Sequence, residues 1–202
     1  MLYVLRGELL LWSIIGTFSI LSCTPSSVTP KPRAYPKILF PQKSYVPFTE
    51  AYCPFSFEMP EYARIEQDTL FFNDNPLHAC WFDIYYPIFD CRIHCSYIPV
   101  NNQYPFEKLN EDAFRMVMEH NQKATYIDEL PIRKPNGVIG FLFNIEGPAA
   151  TPFQFYVSDS ARHFLRGALY FNTQIKPDSL APQYEFVKQD IIHMINTFYW
   201  KN

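Results

Sequence analysis

The chain has 202 residues, of which 6 are glycine and 18 are proline, and its formal net charge is −3. Because dinucleotide- and phosphate-binding loops need several closely spaced glycines, this composition excludes that kind of nucleotide site, and the weak negative charge argues against a nucleic-acid partner. The hydrophobic content of 48% is ample for one packed core.

Residues 1–22 are typical of a lipoprotein signal peptide. Their apolar run, residues 9–21, is shorter than the roughly 20 residues that a helix needs to span a bilayer. Cys23 follows the small residue Ser22 and is the predicted lipidation site, where acyl chains would hold the protein on a membrane. An uncleaved signal anchor and an ordinary secretory peptide are the alternatives.

Residues 23–48 are predicted to form a proline-rich tether that becomes an extended wrap. Eight of the 18 prolines lie between residues 24 and 60. Each removes a backbone donor and disfavours helix at the preceding residue. Aromatic side chains such as Phe40, Tyr45 and Phe48 predict that the second half of this segment packs on the folded part, which we expect to be a single globular domain over residues 49–202.

The pattern of residues 49–202 predicts an α+β domain in which an antiparallel sheet is flanked by helices. A stripe of Leu109, Ala113 and Val117 predicts a helix over residues 106–123. A last helix is predicted to begin with Pro182 in its first turn. Alternating and apolar runs predict strands at residues 55–58, 63–66, 80–86, 91–97, 125–130, 138–146, 153–158 and 162–171.

Cysteines other than Cys23 allow three disulfide connectivities in an exported chain. Cys91 and Cys95 fall on one face of a predicted strand, about 13 Å apart, which is too far for them to pair with each other. His94 faces the other way, which disfavours a zinc site with these two cysteines. We therefore predict no metal and no cofactor. The four cysteines are Cys53, Cys80, Cys91 and Cys95.

The last predicted hairpin carries candidate interaction residues. Alternation puts Arg162 and Arg166 on one face, where with Asp159 they are predicted to form a small ionic site for a partner or an anionic ligand. An ordinary solvated ion pair is the alternative. The opposite face contains His163, predicted to be a core histidine with a backbone partner. It also contains Gly167, whose missing side chain predicts close approach of a helix to the sheet.

No arrangement of residues in the sequence predicts a catalytic centre. The chain has no G-x-S-x-G elbow. Its candidate carboxylates Glu58, Glu146 and Asp159 lack the spacing of an acid–base pair. We therefore predict that the protein is not an enzyme. The tyrosine-rich strands also allow a carbohydrate-stacking face, although half-buried sheet aromatics are the commoner explanation.

Several blocks of sequence resemble the gliding-motility lipoprotein GldD family of Bacteroidota. The most specific is DSARHFLRGALYF at residues 159–171. The resemblance extends from about residue 30 to residue 201. The other blocks are CPFSFE at residues 53–58, CWFDI at 80–84, IHCSY at 93–97, PFQF at 152–155, DSLAP at 178–182 and TFYWK at 197–201.

The resemblance implies a cell-envelope lipoprotein required for gliding motility and the associated type IX secretion machinery, acting as a non-catalytic structural or assembly component. It implies a membrane lipid anchor of the palmitate type, with the periplasmic face of the outer membrane favoured over the inner membrane. Its implied partners are other gliding and type IX secretion lipoproteins. A periplasmic ligand-binding module with an aromatic or anion site is the second hypothesis, and a hydrolase is the third.

The resemblance also implies a disulfide between Cys53 and Cys80. Cys91 and Cys95 would then be buried thiols, or one of them would pair with Cys80 instead. The predicted topology is similar to the PsbP/Mog1-like sandwich, an analogy that concerns fold and not function.

Overall fold

Ten β-strands and two α-helices make up the described part of the chain, which comprises residues 38–67, 78–173 and 177–201 of a computed structural model. The predicted signal peptide, the predicted lipidation site Cys23 and residues 23–37 of the predicted tether lie outside the described residues. The helices are α1 (Phe106–Met118) and α2 (Pro177–Thr197). The strands are β1 (Tyr45–Phe48), β2 (Phe55–Pro60), β3 (Arg64–Gln67), β4 (Trp81–Tyr86), β5 (Cys91–Pro99), β6 (Tyr126–Arg133), β7 (Ile139–Glu146), β8 (Phe153–Ser158), β9 (His163–Phe171) and β10 (Tyr199–Trp200).

The strands form two antiparallel sheets. The larger sheet has the strand order β3-β4-β5-β9-β8-β7-β6, and the smaller has the order β1-β2-β10. The α+β class with an antiparallel sheet and flanking helices is therefore confirmed. The sequence predicted a single antiparallel sheet, and the structure has two, because β2 pairs with β1 and β10 and not with a strand of the larger sheet. Apolar patterning reports which face a strand buries and says nothing about which strand is its neighbour.

The two faces of the larger sheet are covered by different layers. Along β9, Leu165 joins the core cluster that also contains residues of the small sheet and of α2. Its neighbour Phe164 joins a second cluster with Leu109 and Val117 of α1. This alternation between the two faces is the period of two that a β-strand imposes.

Both helices differ from their predictions at one end. The stripe of α1 is buried as predicted, but the α-helix ends at Met118 and a 3₁₀ turn continues over Glu119–Gln122. Helix α2 begins at Pro177, so that Pro182 lies inside the helix and not in its first turn. Pro177 itself occupies the first position of the helix, where the missing N–H of proline has no cost. Pro177, and not Pro182, is therefore the proline that marks the start of this helix.

Residues 38–48, the second half of the predicted wrap, pack on the rest of the described chain. Strand β1 pairs with β2, and Phe48 at its end is buried. The ring of Tyr45 stacks on His193 with centroids 3.7 Å apart, and that of Phe40 stacks on Phe186 at 5.0 Å.

Gly167 is required by an aromatic ring. It pairs with Phe155 across β8 and β9, and a Cβ atom at position 167 would collide with the ring of Phe155. The close approach predicted for Gly167 therefore exists, but its partner is a side chain of the neighbouring strand and not a helix. Glycines in strands commonly mark such contacts.

Candidate functional site

The three predicted interaction residues belong to two different sites. The Nε atom of Arg162 lies 3.7 Å from Oδ2 of Asp159, so the structure brings these two residues together. Arg166 instead donates to Oε1 of Gln154 at 2.6 Å. The predicted three-residue site is corrected accordingly. Arg162 lies before β9, in the turn, so the strand alternation that places Arg166 does not extend to it.

The turn that carries Arg162 is fixed by the Asp159 carboxylate. Its Oδ1 atom accepts hydrogen bonds from the backbone N–H groups of Ala161 at 3.1 Å, Arg162 at 2.8 Å and His163 at 2.8 Å. Burial opposes ionisation, but these bonds hold the pKa of Asp159 below its usual value. The carboxylate thus builds the turn, while the Arg162 side chain is 69% exposed.

Arg162 borders an open depression of about 490 Å³, which we call the hairpin cleft. Its polar groups are cationic or aromatic, and Lys201 at one side donates its Nζ hydrogen to the backbone oxygen of Glu50 at 2.9 Å. The cleft is therefore suited to contact an acidic surface. The lining residues are Ala51, Tyr52, Cys53, Pro54, His78, Tyr97, Arg162, His163 and Lys201.

A disulfide between Cys53 and Cys80 fixes one wall of the hairpin cleft. Their Cα atoms are 5.5 Å apart, and this is the pairing that the family resemblance implied. The backbone N–H of Cys80 donates to Nδ1 of His78 at 3.1 Å, which places His78 beside the disulfide. Cys91 and Cys95 are buried free thiols, the first of the two states expected for them.

His163 forms part of the cleft wall rather than of the deep core. It is partly buried, and its Nδ1 atom hydrogen-bonds the hydroxyl of Tyr97 at 2.7 Å, where a backbone partner was expected. Its ring stacks on Trp200 with centroids 5.0 Å apart. Burial lowers the pKa of His163 and raises that of Tyr97 to about 12, so the pair is neutral at physiological pH.

Among residues 38–67, 78–173 and 177–201, no three or more His, Cys, Asp or Glu side chains are grouped as a metal site would require. His94 contacts Asp83, with 2.8 Å between its Nδ1 atom and Oδ1 of the carboxylate. Cys91 and Cys95 lie on the opposite, buried face of β5 from His94, as the alternation predicted.

The sequence did not predict the rest of the hairpin cleft. Tyr52, His78 and Lys201 come from three segments that only the tertiary fold brings beside Arg162. The TFYWK block contained Lys201, but nothing in the spacing of that block related it to the hairpin. The CWFDI block likewise gave no signal for the neighbouring His78.

The described residues thus form an α+β domain in which one exposed arginine, Arg162, lies on a fixed turn and borders the same cleft as a disulfide. The family model for the gliding motility lipoprotein GldD matches residues 25–200. The chain belongs to the gliding motility lipoprotein GldD family. Membership defines a lipid-anchored protein of the cell envelope with a role in gliding motility.

Among solved structures, the chain is similar to the solution structure of cyanobacterial PsbP (CyanoP) from Synechocystis sp. PCC 6803. The two are 8% identical, with a TM-score of 0.47 over 89% of this chain and 97% of the PsbP chain. No curated protein matches the chain significantly. Within the described residues, neither helix has the length and apolar character that crossing a bilayer requires.

Proposed function

We propose that the protein is a non-catalytic assembly component of the gliding and type IX secretion machinery. A lipid on Cys23 would anchor it at the periplasmic face of the outer membrane, and the hairpin cleft would bind an acidic surface of another envelope lipoprotein. The observation that carries the proposal is the exposed Arg162 side chain on a turn whose backbone is held by Asp159.

Arginine is suited to this role because its planar guanidinium offers several donors to carboxylates. Arginine and tyrosine are enriched among the residues that dominate binding energy at interfaces. Three backbone hydrogen bonds to Asp159 order the turn before any partner arrives. Binding therefore has less conformational entropy to lose at this site than at a flexible loop.

The histidines form contacts within the fold, and the proposed function assigns no chemistry to them. Each of the five histidines of the chain has a hydrogen-bond partner in the fold. The contacts are His78 with the Cys80 backbone, His94 with Asp83, His120 with Thr151, His163 with Tyr97 and His193 with Glu58.

The test compares Arg162→Ala with Arg115→Ala in the native organism. Arg115 is the matched control, because its side chain is 67% exposed and it also pairs with an aspartate three residues away. Spreading on a surface, secretion of type IX cargo and recovery of envelope lipoproteins after crosslinking are measured for each variant. We expect Arg162→Ala to reduce all three at unchanged protein abundance, while Arg115→Ala leaves them at the wild-type level.

Normal crosslinking and spreading by Arg162→Ala would overturn the role of the hairpin cleft. Loss of spreading with intact secretion would show that the hairpin cleft acts in gliding and not in type IX secretion. That part of the proposal would then be wrong. A Cys23→Ala variant that still fractionates with membranes would overturn the lipid anchor at that residue.

A further inference from the structure

A second concave site lies on the opposite face of the sheet, under helix α1. This groove has a volume of about 500 Å³, within the range usual for small-molecule sites. Ile98, Leu109 and Phe164 contribute apolar walls, and Arg166 and Ser96 contribute polar groups. Ser96 lies directly opposite Arg166 in the register of β5 and β9, so both side chains rise from the same part of the groove.

Two other guanidinium groups near this groove already have carboxylate partners. Nη1 of Arg92 lies 2.7 Å from Oδ2 of Asp83, whose other oxygen contacts His94. Asp112 at the helix side is paired with Arg115 at 2.6 Å. These charges compensate one another, so neither acidic residue is available to Arg166.

Arg166 has a neutral partner in place of a carboxylate. Its guanidinium donates to Oε1 of Gln154, a buried amide whose Nε2 group donates to Thr151. Within the described part of the chain, no carboxylate oxygen lies within ion-pair distance of Arg166, and Glu119 acts on its charge only from further away. Burial lowers the pKa of Arg166, although a guanidinium stays protonated at physiological pH. A partly buried cation with a neutral partner is costly and attracts an anion.

We infer that the groove under α1 binds a small amphiphilic carboxylate. Its head group would accept hydrogen bonds from the free donors of Arg166, and its apolar body would lie against Ile98, Leu109 and Phe164. An arginine and a carboxylate form two parallel hydrogen bonds, so the ligand would add a direct counter-charge where the fold supplies only the more distant Glu119. The apolar walls select a ligand with a hydrocarbon or aromatic body over a bare inorganic anion.

Calorimetric titration of the lipid-free chain, residues 24–202, with decanoate tests the inference. Both core clusters of the described residues lie within residues 38–201, so the chain without its lipid retains both of them. Decanol and inorganic phosphate serve as the neutral and the purely anionic probes. We expect decanoate to bind at least tenfold more tightly than either of them.

Substitutions then assign the binding to this groove. Arg166→Met should weaken decanoate binding at least tenfold, while Arg162→Met, in the hairpin cleft, should leave it unchanged. Because Arg166→Met also removes the hydrogen-bond partner of Gln154, a second variant that leaves Arg166 in place is needed to test the groove. That variant is Ala113→Leu. It fills the groove from α1 and should abolish binding with Arg166 intact, provided that circular dichroism shows the native fold.

Four results would overturn the inference. One is that no probe binds the wild-type chain. Another is that decanol binds as tightly as decanoate, which would leave the charge of Arg166 without a role. The third is that phosphate binds as tightly as decanoate. The fourth is that neither Arg166→Met nor Ala113→Leu changes decanoate affinity in a folded protein.

Discussion

The Nζ atom of Lys43 lies 2.6 Å from Oδ1 of Asp190, a carboxylate that is completely buried. The same carboxylate accepts hydrogen bonds from the hydroxyls of Tyr45 at 2.9 Å and Tyr62 at 2.7 Å. Burial and these bonds to Asp190 raise the pKa of both tyrosines, which stay protonated donors. One side chain of α2 thus fastens Lys43 and Tyr45 to the rest of the described chain.

We expect Asp190→Asn to be strongly destabilising. The substitution leaves Lys43 without its counter-charge and replaces an acceptor that serves three donors. Removing one partner of a buried ion pair costs about 3–5 kcal/mol. Urea denaturation followed by circular dichroism measures the free energy of unfolding.

Asp112→Asn is the matched control for Asp190→Asn. Asp112 also pairs with a cation at 2.6 Å, but that cation, Arg115, is 67% exposed. An exposed ion pair contributes about 0–1 kcal/mol. Similar losses of unfolding free energy in Asp190→Asn and Asp112→Asn would contradict the prediction that the buried pair of Asp190 stabilises the fold more than the exposed pair of Asp112.

The disulfide makes a separate contribution to stability. Cys53 and Cys80 are separated by 27 positions in the sequence, and a crosslink over that separation is expected to stabilise the fold by about 2–4 kcal/mol by constraining the unfolded chain. The double variant Cys53→Ala/Cys80→Ala should therefore lower the urea midpoint. Reduction of the wild-type chain should lower it by the same amount. If reduction leaves the midpoint unchanged, the pairing of these cysteines is wrong.

Much of the fold follows from local patterns in the sequence. The period of two over residues 91–97 placed Cys91, Ile93 and Cys95 on a buried face, and all three are buried. The stripe of α1 was visible for the same reason, since burial of one face leaves a periodic signal. Strand partners leave no such signal, which is why the small sheet of β1, β2 and β10 was not predicted.

The candidate site was less predictable than the fold. Arg162 and Arg166 are separated by an even number of positions, which implies one shared face only if both lie in the strand. The Asp159 carboxylate accepts hydrogen bonds from three backbone N–H groups and so holds this part of the chain in a turn. Arg162 lies in that turn and not in β9, so the alternation of the strand does not place its side chain. A side chain that hydrogen-bonds the nearby backbone competes with the regular hydrogen bonds of a strand. Packing decides which of the two forms, and the hydrophobic pattern of the sequence does not show that packing.

Cys91 gives the folded state a pH dependence. Burial, followed by the charges of Asp90 and Asp190, raises the pKa of its thiol to about 12 from the ordinary 9.0. The unfolded chain therefore loses this proton at lower pH than the folded chain. The stabilisation is complete below about pH 9 and is lost as the pH rises toward 12.

Cys91→Ala is the reference that isolates this effect from other titrating groups. Between pH 7 and pH 10, the wild-type chain should lose about 1.4 kcal/mol of unfolding free energy relative to the variant, since one pKa unit corresponds to that amount. Urea denaturation at both pH values measures the difference. A constant difference would show that the Cys91 thiol titrates equally in both states.

Gly167 and Phe155 provide the sharpest test of packing in the sheet. A methyl group at position 167 would overlap the Phe155 ring, so Gly167→Ala should destabilise by about 1–3 kcal/mol, the usual cost of overpacking. Phe155→Ala should also destabilise, because it empties a buried position.

The double variant distinguishes this contact from a general intolerance of alanine at position 167. If the Phe155 ring is the obstacle, Phe155→Ala removes it. The double variant should then lose less unfolding free energy than the two single variants lose in total, by at least about 0.5 kcal/mol. Strict additivity would mean that the backbone at Gly167, rather than the Phe155 ring, resists a side chain. The unfolding free energies of the wild type and the three variants complete the cycle.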